Sequence, residues 1–341
     1  MKRTVLSVAV VALAAGGLLY AARPVDGKTQ RVTVAYFPNV THAQPLIGRA
    51  DGDFEQALGS SVEIDWKVFN AGPAVMEAIF AGKVDIAYIG PSPAVNGYVR
   101  SQGEALRVVA GAASGGAALV VRTGSGITKP SDLEGRKVAS PQLGNTQDVA
   151  LRAWLEKNGL KLKEKGGQVQ VIPMTNADQY TLMQKGEIDA AWTVEPWVTM
   201  LTSDAGGRIY LEESSLWPEG RYATTLVVVR RRFLEEHPEI VRSFVRAHER
   251  VTARILADPE TAQRKIGEEL QELTHKPMPE AILRSALARI VFTTDPMEAS
   301  VRVQAEAAHR AGFLKQQPDI SGLFQDLPDA VEAPEAAGGG S

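Results

Sequence analysis

Four stretches of the sequence place amides, hydroxyls and small residues where a β-prone apolar run ends and a helical pattern begins. In "FPNVTHA" these are Asn39, Thr41 and His42; in "FNAGPA", Asn70 and Gly72; in "IGPSPA", Gly90 and Ser92. In "SPQLGNTQD" they are Gln142, Gly144, Asn145 and Thr146. A helix start presents backbone N–H groups without intrahelical acceptors, together with the positive end of the helix dipole. Beside Asn, Gln, Ser and Thr donors, such a start is an anion site. Gly72 and Gly144 would let a ligand approach the backbone. His42 lies in a first helical turn, where the dipole opposes its protonation, so its role is that of a neutral hydrogen-bond donor. Plain structural readings stand beside these: Thr41 and Asn70 also suit ordinary helix caps, and Asp148 suits a first-turn dipole partner.

A fifth stretch, "TVEPW", carries Glu195. It reads either as an acidic residue at a helix start, with Pro196 early in the helix, or as a carboxylate that accepts from a ligand ammonium. Ser114 and Gly115, on a crossing between two chain halves, and Thr224, on the return, complete the candidate set. None of the strand-end loops holds an Arg or Lys. The bidentate clamp used for carboxylates and phosphates is therefore missing. Amides and hydroxyls suit a weakly hydrated monoanion such as a sulfonate, or a neutral heterocycle, and do not suit a polyanion.

The elements that would hold these loops can be read from periodicity. Short β-rich runs ("RVTVAYF", "VEIDWKVF", "VDIAYIG", "LRVVAGAA") alternate with helical segments up to residue 113, and a second such set runs from "RKVAS" to "IDAAW". Alternation at this spacing predicts βαβ units. One device occurs twice. Asn70 opens a helix, Gly82 ends it and Asp85 leads into a strand; Asn176, Gly186 and Asp189 repeat the pattern. Asn suits a cap and Gly the left-handed exit from a helix. Two matched copies predict two related lobes, joined by "LVVRTGSG" and "YATTLVV". The division is 27–121 plus 225–328 for a discontinuous first lobe and 122–224 for the second. Ligands of open α/β sheets bind at the carboxyl ends of the strands, here the cleft between lobes.

The chain has 341 residues, 44% hydrophobic and 23% charged, with a formal net charge of −3 and no cysteine. That excludes disulfides, thiolate metal sites and cysteine nucleophiles. It also removes the usual lipoprotein anchor. Without a basic run, nucleic acid is not an expected partner. No Ser-His-Asp, His-Glu-x-x-His or phosphate-loop pattern is present, so no enzyme activity, cofactor or metal is expected. Lys2 and Arg3 precede an apolar run from Thr4 to Ala22, which makes residues 1–26 an export signal peptide or an uncleaved membrane anchor. Residues 329–341, small and polar, read as a disordered tail.

The stretches "YFPNVTHA", "NAGPAVMEAIFAGKVDIAYIGPSPAVNGY", "SDLEGRKVASPQLGNTQDVALRAWL" and "GEIDAAWTVEPW" resemble the substrate-binding proteins of bacterial ABC importers, in the nitrate/sulfonate/taurine group. The resemblance covers about residues 31–325 and is most specific in "PQLGNTQDVALRAWL" and "IGPSPAVNGY". It implies an α/β, two-lobed type II periplasmic-binding-protein fold, each lobe a mostly parallel sheet flanked by helices, with extra C-terminal helices. It also implies a monomer that closes on a small solute outside the cytoplasm and docks to an ABC permease in the inner membrane. An aliphatic sulfonate or taurine is the leading solute, because the Gly- and Ala-rich loops leave room for an organic tail. Nitrate, bicarbonate or a vitamin precursor follow. A solute sensor, or an enzyme on the same fold, is the alternative role. The enzyme relatives use a Cys-rich segment that this chain lacks.

Overall fold

The computed structural model describes residues 29–327; the stretches read above as a signal peptide or anchor (1–26) and as a disordered tail (329–341) lie outside the described residues. The chain first builds β1 (Gln30–Tyr36), a 3-10 turn at Val40–His42, α1 (Ala43–Ala50), α2 (Asp53–Leu58) and β2 (Val62–Val68). There follow α3 (Gly72–Phe80), β3 (Ile86–Ile89), α4 (Pro91–Arg100) and β4 (Leu106–Gly115). It then crosses to β5 (Ala117–Arg122), β6 (Lys137–Ser140), α5 (Thr146–Lys157), β7 (Gln170–Pro173) and α6 (Asn176–Gln184). The second half closes with β8 (Ala190–Val194), α7 (Trp197–Asp204) and β9 (Gly207–Glu212). The chain returns through two short 3-10 turns to β10 (Ala223–Arg230), α8 (Arg231–Glu236), α9 (Pro238–Ala257) and α10 (Pro259–Thr274). Last come α11 (Glu280–Leu287), β11 (Ile290–Phe292) and α12 (Glu298–Arg310).

Two sheets result. The first has the order β11-β4-β10-β3-β1-β2 and the second β7-β6-β8-β5-β9. Both contain the same five-stranded unit. In the first, β2, β1 and β3 are parallel and continue antiparallel into β10 and β4; in the second, β7, β6 and β8 are parallel and continue antiparallel into β5 and β9. The sheets are thus mixed, where the βαβ pattern suggested mostly parallel ones. The antiparallel strands are those that carry the chain between halves, and a crossing strand cannot keep the βαβ sense. Two more points depart from the sequence reading. Residues 117–121 pair in the second sheet, although the proposed border put them in the first lobe. Residues 223–224, assigned to the second lobe, begin β10 of the first sheet. The exchange happens at Gly115 and Gly116, whose φ of 81° and 77° suit only glycine, and where a Cβ would press on Arg289 O (2.8 Å) and Ile290 Cγ1 (2.9 Å).

The duplicated device is visible atom by atom. Asp85 Oδ2 accepts the Thr33 N–H of β1 at 2.9 Å, and its Oδ1 meets Arg230 at 2.6 Å. Asp189 Oδ2 accepts the Lys137 N–H of β6 at 3.1 Å, and its Oδ1 meets Arg122 at 2.9 Å. Each aspartate ties a backbone N–H of the neighbouring parallel strand to the arginine that ends the antiparallel one. Gly82 and Gly186 leave their helices at φ of 65° and 72°, as the pattern required. The asparagines do not play their expected part. Ala71 caps α3, two residues before Pro73, and Thr175 caps α6, so Asn70 lies before its helix and Asn176 inside it.

Alternating residues along each strand feed two apolar layers. In the first sheet Val32, Val34, Ile86 and Tyr88 face α1, α2, α9 and α10, while Ala35, Ala87 and Ile89 face α3, α4 and α12. The long α9 presents Val241, Phe244, Val251 and Ile255 to that core, and Phe244 stacks on Phe54 at 4.5 Å. Deleting a buried ring of this kind costs about 3–5 kcal/mol. Polar groups in this layer are paired: Tyr88 Oη meets His248 Nδ1 at 3.0 Å and His248 Nε2 meets Gly111 O at 2.8 Å, while Gln44 Nε2 donates to Ala112 O at 2.7 Å. Helix α12 packs on both α4 and α5, one from each half of the molecule. Among the described residues no helix is long and apolar enough to cross a membrane.

Candidate functional site

A cleft of about 750 Å³ lies between elements of the two sheets. The residues that begin six helices line it: His42 before α1, Ala71 before α3, Gly90 before α4, Asn145 and Thr146 at α5, Thr175 and Asn176 at α6, and Trp197 at α7. Each follows a strand of the parallel part of a sheet, which is why six dipoles converge here. Among the described residues no Arg, Lys, Asp or Glu lines the cleft.

Three asparagines share one arrangement. Asn39 Oδ1 accepts the N–H and the hydroxyl of Thr41, both at 3.0 Å, so Asn39 and not Thr41 caps the 3-10 turn. Asn145 Oδ1 accepts the Thr146 N–H at 2.5 Å, and Asn176 Oδ1 accepts the Thr193 hydroxyl at 3.1 Å. Each amide is anchored by its oxygen, which leaves its NH₂ to donate into the cleft. His42 adds a fourth donor. Its Nδ1 accepts the Phe37 N–H at 3.3 Å, which puts the ring proton on Nε2. Burial lowers its pKa to about 3, so the ring is neutral, as expected, with burial rather than the dipole as the leading cause. Thr146 Oγ1 accepts the Ser92 N–H at 3.4 Å and keeps its own proton to donate. Thr224 lines the cleft as well, but its hydroxyl already donates to Gly115 O at 2.8 Å.

Of the sequence candidates, Asn39, Thr41, His42, Asn70, Gln142, Asn145, Thr146 and Thr224 line this cleft. Six do not. Gly72 is small for packing, since a Cβ there would meet Pro93 Cβ at 2.8 Å. Ser92 faces a different cavity on the far side of its contact with Thr146. Ser114 Oγ accepts the Tyr222 N–H at 3.2 Å, and Gly115 serves the strand crossing described above. Gly144, at φ 76°, turns its N–H onto Asp148 Oδ2 at 3.0 Å. Asp148 is itself buried, accepting from Ser140 and Arg152, so it organises the loop rather than meeting a ligand.

Glu195 is the largest correction. It is fully buried, accepts the N–H and hydroxyl of Thr199 at 3.0 Å each, and pairs with Arg289 Nε at 2.7 Å. Burial raises its pKa against the pull of Thr199 and Arg289. It caps α7 from the interior, which is the plainer of its two readings. Asn176 and Thr175 went unassigned to the site in sequence, although the end of "QVQVIP" obeys the same strand-then-helix rule as the other four loops. "TNAD" is also a capping-box pattern: Thr175 Oγ1 accepts the Asp178 N–H at 3.2 Å and donates to its carboxylate at 2.7 Å.

The NMT1-like family model matches residues 26–267. The taurine-binding periplasmic protein of Escherichia coli (strain K12) is 27% identical over 305 residues, which is 88% of this chain and 91% of that protein. Among solved structures, the alkanesulfonate-binding protein of Xanthomonas axonopodis pv. citri bound to MOPS aligns with a TM-score of 0.73 at 18% identity. The match takes in 88% of this chain and 99% of that one. The periplasmic aliphatic sulphonate binding protein of Escherichia coli aligns with a TM-score of 0.69 at 19% identity, over 86% of this chain and 97% of that one. These two likenesses establish a shared two-lobed binding-protein fold. The family match spans more than half of the sequence, and the chain belongs to the NMT1-like family.

Proposed function

We propose that this protein is an extracytoplasmic solute-binding protein that captures an aliphatic sulfonate in the cleft and delivers it to an ABC permease. The observation that carries the reading is the set of anchored asparagines and the neutral His42, all donors, in a cleft without a charged side chain. A sulfonate carries one diffuse charge over three oxygens and is weakly hydrated. Neutral donors and helix dipoles hold it without the Arg clamp that a phosphate or carboxylate asks for. Phe37, Leu143, Met174 and Trp197 supply apolar walls for an organic tail. The names of the relatives, taurine-binding and sulfonate-binding, support the same class.

The lining refines the solute. A taurine ammonium asks for a carboxylate, and none among the described residues lines the cleft, so a plain alkanesulfonate is the better fit. Nitrate and bicarbonate would leave most of a cavity this size to water. The chain passes between the sheets at Gly115–Gly116 and again through residues 213–222, and in this reading these crossings let the halves close over the anion. A thermal-shift panel of ethanesulfonate, butanesulfonate, taurine, nitrate and bicarbonate tests it. A ligand at a hundred times its dissociation constant adds about 2.7 kcal/mol of stability. Shifts with the alkanesulfonates, smaller with taurine and absent with the inorganic ions, are expected. A shift with nitrate alone would overturn the reading.

A further inference from the structure

A second cavity, of about 620 Å³, lies on the other side of the Ser92–Thr146 contact, between α5, α12 and the turn Glu213–Leu216. Its chemistry differs from that of the cleft. Trp154, Trp192 and Trp217 contribute to its walls. Trp154 packs edge-on against Trp192 with centroids 6.0 Å apart, and Trp217 stacks on Tyr222 at 5.4 Å, so the rings are held in place.

The unpaired polar atoms in this cavity are an amide oxygen, a hydroxyl and the Trp217 indole N–H. Gln304, 6% exposed, donates through Nε2 to Ala223 O at 3.0 Å and leaves Oε1 without a partner. Ser92, 3% exposed, has an Oγ without a partner. Glu213, 2% exposed, receives the Trp192 indole N–H at 2.7 Å and forms no ion pair with a Lys, Arg or His among the described residues. Burial pushes its carboxyl up to about 7, against the pull of the Trp192 and Trp217 indoles. Buried polar groups left unpaired are costly, and Gln304 Oε1 beside a Glu213 carboxylate that has no cation among the described residues calls for a donor, which the Ser92 hydroxyl can also accept. Indole faces add attraction for a cation. The other charged side chains that face the cavity are Lys157, Glu156 and Arg310, all exposed at its mouth, where water and salt screen them.

We propose that this cavity is a second ligand site, built for a small organic cation with an aromatic or bulky alkyl body. The ammonium would donate to Glu213, Gln304 Oε1 and Ser92 Oγ, and the body would lie among the tryptophans. The assignment does not depend on the nature of the solute in the cleft.

The test is a titration of the full chain with benzylammonium chloride, followed by the indole N–H signals of its five tryptophans. Signals are assigned by single Trp→Phe variants, and Trp197 reports on the cleft. Saturable shifts of Trp192 and Trp217 with Trp197 unmoved are expected, and phenylacetate should bind at least ten-fold more weakly. Glu213→Gln should weaken benzylammonium at least ten-fold. Ala307→Phe, which fills the cavity from a half-exposed position on α12, should do the same if Glu213→Gln fails to fold. The proposal is overturned by no saturable shift, by a shift of Trp197 in place of the other two, by equal binding of phenylacetate, or by unchanged affinity in a folded Ala307→Phe protein.

Discussion

Gly90 separates binding from folding more cleanly than any other cleft position. Its backbone, at φ −70° and ψ 155°, is open to every residue, so Gly90→Ala brings no backbone strain. The space is what forbids a side chain. A Cβ at Gly90 would overlap the Thr146 hydroxyl, with Thr146 Cβ at 3.4 Å and Thr224 O at 3.7 Å. Thr146 is β-branched and begins α5, so its side chain has little freedom to turn away. The overlap is relieved by moving α4 away from α5, that is, by spreading the two halves at the floor of the cleft. Inserting a methyl into packing of this kind costs about 1–3 kcal/mol, or roughly a ten- to hundred-fold loss of affinity if closure bears it. Calorimetric titration with ethanesulfonate reads the affinity, and urea denaturation reads the fold, which should lose less than about 1 kcal/mol. A double-mutant cycle with Thr146→Ala sharpens the test. Thr146→Ala alone should weaken binding by about 1–3 kcal/mol through its lost donor, and the double variant should match it, because the overlapping atom is gone. Full affinity in Gly90→Ala, or additive losses in the double variant, would refute the reasoning.

Four further outcomes follow from the same structure. Glu195→Ala should destabilise the fold by about 3 kcal/mol in urea, since it uncaps α7 and leaves Arg289 with Glu212 alone, while cleft affinity in the folded fraction stays as it was. Asp85→Ala and Asp189→Ala should each cost about 2 kcal/mol and resemble one another closely, because both remove one strand N–H acceptor and one arginine partner. Acidification should weaken the fold. His42 and His248 sit at about 3 and about 4, below the usual 6.5, so the unfolded chain takes up their protons first and stability is lost as pH falls from about 6.5 toward 4. Glu213 works in the opposite sense: raised to about 7, it is destabilising as pH climbs from about 4.5 through 7, and Glu213→Gln should gain on the parent protein by a few kcal/mol across that span. Equal pH profiles for the two proteins would contradict this.

The local rules of helix starts and strand ends were enough to name seven cleft residues, because such rules act over a few residues. Asn145 caps where the sequence places a helix start, while Asn39 caps two residues ahead of the expected Thr41. Asn70 does not, because Pro73 is tolerated only in a first helical turn, which moves the start of α3 forward. What the sequence leaves open is which side of a wall a loop residue faces. Ser92 and Thr146 touch each other, yet Ser92 opens onto the tryptophan-lined cavity and Thr146 borders both. Glu195 was ambiguous for the same reason. Its partner Arg289 is ninety-odd residues away, and no local pattern announces the pairing. The strand senses were legible only in part. The duplicated Gly-x-x-Asp device predicted two related halves, while β9 and β11, a half-exposed edge strand and a three-residue strand, offered no periodicity to read.

The central claim is that a sulfonate is held by neutral donors and helix dipoles alone. Calorimetric titration with ethanesulfonate at pH 5.5, 7 and 8.5 tests it most directly, because His42, the one titratable side chain lining the cleft among the described residues, is already neutral over that whole range. The account predicts one dissociation constant at all three values, and its loss when Asn145 and Asn176 are both replaced by Ala. Affinity that falls across that range, or survives the double replacement, would place the anion on a charged group elsewhere and contradict it.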